Sequence, residues 1–176
     1  MKKIVYFDNN ATTQVAPEVR DVMLPFFDKL YGNPSSMHLF GGQVAKYTDR
    51  AREEVARFIN ADPSEIIFTS CATESDNAAI RGYADYHGVK TKIITTVVEH
   101  PAVLQPCRRL KALGHQVVEL PVDSAGRLNL DQLAAELKGT EKALVSIMWA
   151  NNETGVVFPM AEIAEIRHAA GAVLHT

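Results

Sequence analysis

The sequence predicts an α/β fold with a mostly parallel sheet and helices on both faces, and three observations predict it. From Lys92 onward, short apolar runs rich in β-branched residues alternate with longer stretches whose apolar residues recur at helical spacing. Glycines stand where those helices should stop, as at Gly114 and Gly171. The composition, 47% hydrophobic and 22% charged over 176 residues, supplies enough apolar side chain for a real core. Strand–helix alternation favours parallel pairing, because each return crossing is made by a helix that covers the sheet.

In chain order, Tyr6 to Thr13 is a short apolar start followed by turn-forming polar residues. Pro17 suits the first turn of a helix running to about Leu30, with a kink or interruption at Pro25. Gly32 to His38 reads as a loop, given its glycine, its Asn-Pro step and its serine pair. Gln43 to Ile59 reads as a long amphipathic helix with Val44, Tyr47, Ala51, Val55 and Phe58 on one face. Ile66 to Phe68 reads as a strand, and Thr73 onward as a helix burying Ala78, Ala79, Ile80 and Tyr83. Further strands are expected at 92–98, 116–120, 143–149 and 172–174, with helices at 102–113, 130–137 and 160–170.

Chemistry concentrates where strands end. Between Phe68 and the helix beginning near Thr73 lies a run of small residues, so several backbone N–H groups should face outward at the helix N-terminus. Such an end suits a phosphate or carboxylate, with hydroxyls from Thr73 and Ser75 nearby. A plain helix cap by Ser70 or Thr73 is the competing reading. Two later strand ends also carry polar groups, Glu99-His100 and Asn151-Asn152-Glu153-Thr154. Either could be ordinary turn chemistry, but polar groups at all three ends point to a shared crevice beyond the carboxyl edge of the sheet.

Other classes are disfavoured. A net charge of −3 gives no basic surface for nucleic acid or an anionic membrane. No apolar run spans a bilayer, and Met1-Lys2-Lys3-Ile4 lacks a signal-peptide pattern, so a cytoplasmic location is expected. There is no glycine-rich dinucleotide fingerprint and no Walker-type lysine. The cysteines, Cys71 and Cys107, form no metal-ligand spacing with the six histidines, and no metal site is expected. Cys107 reads as a small apolar residue on a helix.

Five segments together resemble the pyridoxal-phosphate-dependent cysteine desulfurases, most closely the NifS type: Tyr6–Thr13, Gly32–His38, Phe68–Asn77, Thr95–Val103 and Met148–Gly155. The resemblance implies the large domain of a fold-type-I pyridoxal-phosphate enzyme, with residues 1–15 belonging to the small domain of the complete enzyme and 16–176 to the cofactor-binding domain. It implies that Ala72 and Thr73 hold the cofactor phosphate, that His100 stacks on the pyridine ring and exchanges protons, and that Asn152 donates to the phenolic oxygen. Asn10, Ala11, Thr12, Asn33 and His38 would line the substrate entrance.

The implied reaction takes sulfur from L-cysteine, leaving L-alanine and an enzyme persulfide. The implied partners are a second copy in a homodimer and an iron–sulfur scaffold protein that accepts the sulfur, in the setting of nitrogen fixation. In this family the residue following the equivalent of Thr176 is an aspartate that pairs with the pyridine nitrogen. A Schiff-base lysine and an acceptor cysteine come later, and no lysine or cysteine here matches them. The expectation is therefore an N-terminal part that is inactive alone. Alternatives are a selenocysteine lyase or other relative of the same class, or a non-catalytic chain that associates through an open sheet edge.

Overall fold

The computed structural model describes residues 5–89, 91–140 and 142–176. The chain divides into two compact units, one ending at Phe68 and the other running from Thr69 to Thr176.

The first unit is helical among its described residues. Helix α1 spans Pro17–Met23 and α2 spans Pro25–Asp28, so Pro25 interrupts the expected helix and opens the next. Helix α3, Leu39–Ile59, starts four residues before the expected Gln43. The early start has two causes. His38 caps it, its Nδ1 accepting from Gly41 N at 3.1 Å. Gly41 is also required there: a Cβ on it would sit 2.4 Å from the Asn33 carbonyl oxygen. Of the expected apolar stripe only Val44 is buried, while Tyr47, Val55 and Phe58 are exposed. The expected strand at 66–68 does not form. Ile66 is buried and extended, but Ile67 is 83% exposed and the segment joins no ladder. Extended chain becomes a strand only with a hydrogen-bonding neighbour, and the first unit has no strand among its described residues.

The second unit is the α/β body. Helix α4 (Ala72–His87) leads into β1 (Lys92–Thr96), α5 (Pro101–Ala112), β2 (Gln116–Leu120), α6 (Leu130–Leu137), β3 (Ala143–Ser146), α7 (Met160–Ala169) and β4 (Val173–His175). All strand pairs are parallel, in the order β2-β1-β3-β4. Alternation along β1 assigns the two faces. Ile93 packs with Ile80 and Ala84 of α4 and with Val103, Cys107 and Leu110 of α5. Ile94 packs with Leu133 and Leu137 of α6 and Ile163 of α7. Each such buried aliphatic side chain contributes on the order of 1.5–3 kcal/mol. On α4 the buried stripe is carried by Ile80 and Ala84, with Ala78 left exposed.

The strand order positions the site. From β1 the chain steps outward to β2, then returns past β1 to β3. The connections leaving β1 and β3 therefore head to opposite faces, α5 on one and α7 on the other. Between diverging connections of this kind an open α/β sheet leaves a crevice at its carboxyl edge.

Candidate cofactor site

Three segments of the second unit carry the candidate residues. The first is the start of α4. Its N-cap is Cys71, in extended conformation, and no side chain caps the helix. Neither Ser70 nor Thr73 fills that role: Ser70 Oγ and Ser70 N both donate to Glu74 Oε2, at 2.6 and 2.7 Å. Thr69 and Ser75 join their hydroxyls at 2.6 Å, which fixes the turn. The exposed Cys71 thiol reports the local field. The Glu74 amide, the Ser70 hydroxyl and the Thr73 amide together hold it below the usual thiol range, although the Glu74 carboxylate opposes them. A helix N-terminus without a side-chain cap favours negative charge through its leading amides and its dipole. Ala72 is the first residue of α4, and Thr73 places an exposed hydroxyl in the same turn.

The second segment follows β1. The strand ends at Thr96, two residues short of expectation, because the chain turns at Val97 and Val98. His100 is the N-cap of α5, and its Nδ1 accepts from Ala102 N at 3.1 Å. The neutral ring therefore carries its proton on Nε2. One ring nitrogen is thus held by the backbone, while the residue as a whole is exposed. Pro101 at the first helical position costs nothing there and stiffens the entry. Thr73 and His100 line one end of a groove of about 690 Å3 that runs along α4 and α5, past Arg81 and Arg109, to Asp85 and Leu113 at the C-terminal ends of the two helices.

The third segment follows β3. Asn151 is buried; its Nδ2 donates to Val98 O at 2.9 Å, and its Oδ1 accepts from Glu153 N and Thr154 N at 2.9 and 2.8 Å. The turn closes through Gly155 N to Asn151 O at 2.8 Å, with Gly155 at a positive φ of 73°. This arrangement presents Asn152 on the outside, where its Nδ2 donates to Glu153 Oε1 at 3.0 Å. Asn152 does not line the α4–α5 groove; its loop is joined to the His100 loop through its neighbour Asn151.

The residues expected at a substrate entrance lie in the first unit. Ala11 N and Thr12 N turn back onto Asp8 O, Asn10 is exposed, Asn33 Oδ1 accepts from Ser35 N, and His38 caps α3. Their local geometry is that of turns and caps.

The sequence reading did not single out Asp76 and His175. His175 Nε2 lies 3.5 Å from Asp76 Oδ1, and His175 Nδ1 is 2.9 Å from Ser146 Oγ, a chain that ties α4 to β3 and β4. Burial holds His175 below its usual value, with Asp76 pulling the other way. Nothing in the spacing of three residues so far apart in sequence signals this contact. Among the described residues no group of three or more His, Cys, Asp or Glu side chains is placed to hold a metal.

The model of the family "Aminotransferase class-V" matches residues 5–176. The chain belongs to the class-V aminotransferase family. A cysteine desulfurase of Nostoc sp. strain PCC 7120 is 54% identical over 172 residues, covering 98% of this chain and 43% of that protein. Among solved structures, a NifS-like protein superposes with a TM-score of 0.91 at 41% identity over 97% of this chain, and 48% of its own. A protein named SspA, solved in complex with cysteine, also gives 0.91, at 34% identity over 97% of this chain and 49% of its own. The class-V chain thus spans about half the length of these relatives, and it shares their α/β fold, as the alternation of elements led us to expect.

Proposed function

We propose that this chain forms the N-terminal half of the cofactor site of a NifS-type cysteine desulfurase. The observation that carries the reading is the groove that joins Thr73, at the uncapped N-terminus of α4, to His100, at the N-terminus of α5, within a class-V chain. The residues present fit pyridoxal 5′-phosphate. The start of α4 favours a dianionic phosphate, which the Ala72 backbone and the Thr73 hydroxyl would hold. The exposed His100 ring offers a flat stacking surface with a defined protonated nitrogen, so it can also hold or pass a proton at Nε2. Asn152 would donate its amide to the phenolic oxygen. The bound cofactor supplies an electron sink for breaking bonds in an amino-acid substrate.

In this reading the complete enzyme is a cytoplasmic homodimer. It takes sulfur from L-cysteine, yields L-alanine and passes persulfide sulfur to an iron–sulfur scaffold protein, in cells that assemble nitrogenase-type clusters. Support for cysteine as substrate is the name of the Nostoc relative and the cysteine bound to the SspA structure. Residues 1–15 belong with the small domain of that enzyme, and Asn10, Ala11, Thr12, Asn33 and His38 with its substrate entrance. The covalent anchor and the sulfur-accepting thiol come from the remainder of the enzyme. No lysine lines the groove among the described residues, and Cys107 is fully buried. Under this proposal the chain by itself does not carry out the reaction.

The test uses the complete enzyme. Thr73→Val removes one hydroxyl hydrogen bond to a charged acceptor, on the order of 1.5–3 kcal/mol, so cofactor retention on dialysis should fall about tenfold to a hundredfold. His100→Ala leaves the phosphate cradle in place and should reduce alanine release from cysteine far more than retention. Equal loss of retention in both variants, or none in Thr73→Val, would leave the start of α4 an ordinary helix end.

A further inference from the structure

We propose that Glu99, acting with Asn151, is a positioning residue that clamps the two diverging loops at the carboxyl edge of the sheet, and so fixes His100 relative to Asn152. The inference rests on the proposed function for what the clamp serves, and on geometry alone for its existence. The loop after β1 leads to α5 on one face and the loop after β3 leads to α7 on the other, so the sheet itself does nothing to hold them together beyond Thr96 and Ser146. Two ties bridge the gap. The Glu99 carboxylate accepts the Met148 amide through both oxygens, at 3.0 and 3.2 Å, and is oriented by the Thr96 hydroxyl at 2.9 Å. In the opposite sense, Asn151 Nδ2 reaches back to Val98 O at 2.9 Å.

Glu99 is 6% exposed, and Asn151 is 7% exposed. A buried carboxylate is costly unless its partners repay the lost hydration. Here the partners are an amide of one candidate loop and a hydroxyl at the root of the other. Glu99 immediately precedes the His100 cap, and Met148 lies four residues before Asn152. Both ties therefore act on the segments that present the two side chains proposed to touch the cofactor. Burial keeps Glu99 easier to protonate than an ordinary glutamate, with the Met148 amide and the Thr96 hydroxyl resisting that shift.

The test has an arm without cofactor and an arm with it. In this chain alone, Glu99→Met keeps the buried volume but offers no acceptor for the amide. Exchange of the Met148 amide with solvent deuterium should quicken at least about tenfold, and the fluorescence of Trp149, the single tryptophan, should change. Glu99→Gln retains one oxygen, and the exchange rate should stay within about threefold of the original. If Glu99→Met does not fold, Asn151→Ser removes the donor to the Val98 carbonyl, and exchange of the Met148 amide should quicken as the loop after β3 loosens. In the complete enzyme, Glu99→Met should lower kcat for alanine release about tenfold or more, with cofactor retention little changed and with Glu99→Gln restoring most of the rate.

Unchanged Met148 exchange in Glu99→Met would overturn the clamp. Faster exchange with an unaltered kcat in an active enzyme would overturn its positioning role. If the unaltered complete enzyme neither binds pyridoxal phosphate nor releases alanine, the proposed function falls, while the exchange arm still decides the clamp.

Discussion

The adjacent asparagines of the Asn151-Asn152 pair should respond to the same substitution in opposite ways. Asn151 is buried, donates to Val98 O, and accepts from the Glu153 amide, the Thr154 amide and the Thr154 hydroxyl at 2.9, 2.8 and 3.1 Å. Asn151→Ala removes all of these. Glu153 and Thr154 are exposed, so water recovers part of the loss for their amides, whereas the Val98 carbonyl is half-buried and recovers less. At about 0.5–1.5 kcal/mol net per hydrogen bond, the variant should lose about 2–3 kcal/mol. With an m-value of about 1–3 kcal/mol/M in urea, the midpoint should fall by roughly 0.7–3 M. Asn152→Ala, at an exposed position, should stay within about 0.5 kcal/mol of the original. Urea titration followed both by far-UV circular dichroism and by Trp149 fluorescence gives a global and a local probe. A loss below about 1 kcal/mol in Asn151→Ala, or an equal loss in Asn152→Ala, would refute the division of labour.

Other expectations follow from single contacts. Thiol reagents should modify Cys71 readily at neutral pH and Cys107 only on unfolding, since Cys71 is exposed with its thiol below the usual range and Cys107 is buried with its thiol pushed up to about 12; two thiols reacting at one rate in the folded chain would contradict this. Below about pH 6.5 the unfolded chain takes up a proton that half-buried His175 resists, so stability should fall as pH drops through that range. His175→Asn should flatten this part of the melting-temperature profile, and because the raised Glu99 acts with the opposite sign in both proteins, the difference between them isolates the histidine. Gly41→Ala forces a Cβ against the Asn33 carbonyl and should cost about 1–3 kcal/mol, measured by urea titration of the first unit; Gly42→Ala, which meets nothing, should cost none. Borohydride treatment with pyridoxal phosphate should label no single lysine of this chain stoichiometrically, as mass spectrometry of the digest would show.

The sequence by itself determined the elements that local chemistry controls. The alternation of β-branched runs with helical spacing, punctuated by Gly114 and Gly171, located β1 to β4 and α5 to α7 to within two or three residues. Proline and cap chemistry placed the break at Pro25 and the polar end of β1 that carries His100. Three outcomes needed the folded chain. The segment at 66–68 has the composition of a strand, but pairing is a property of two segments, and no neighbour lies within its unit among the described residues. Sequence spacing starts α3 at Gln43, whereas the close approach of Gly41 to Asn33 lets the helix begin at Leu39. The contacts of Glu99 with Met148, Asn151 with Val98, and Asp76 with His175 join residues 49, 53 and 99 positions apart. Local spacing cannot encode such contacts. They exist because a parallel sheet returns every strand in the same direction, which gathers the ends of strands distant in sequence along one edge.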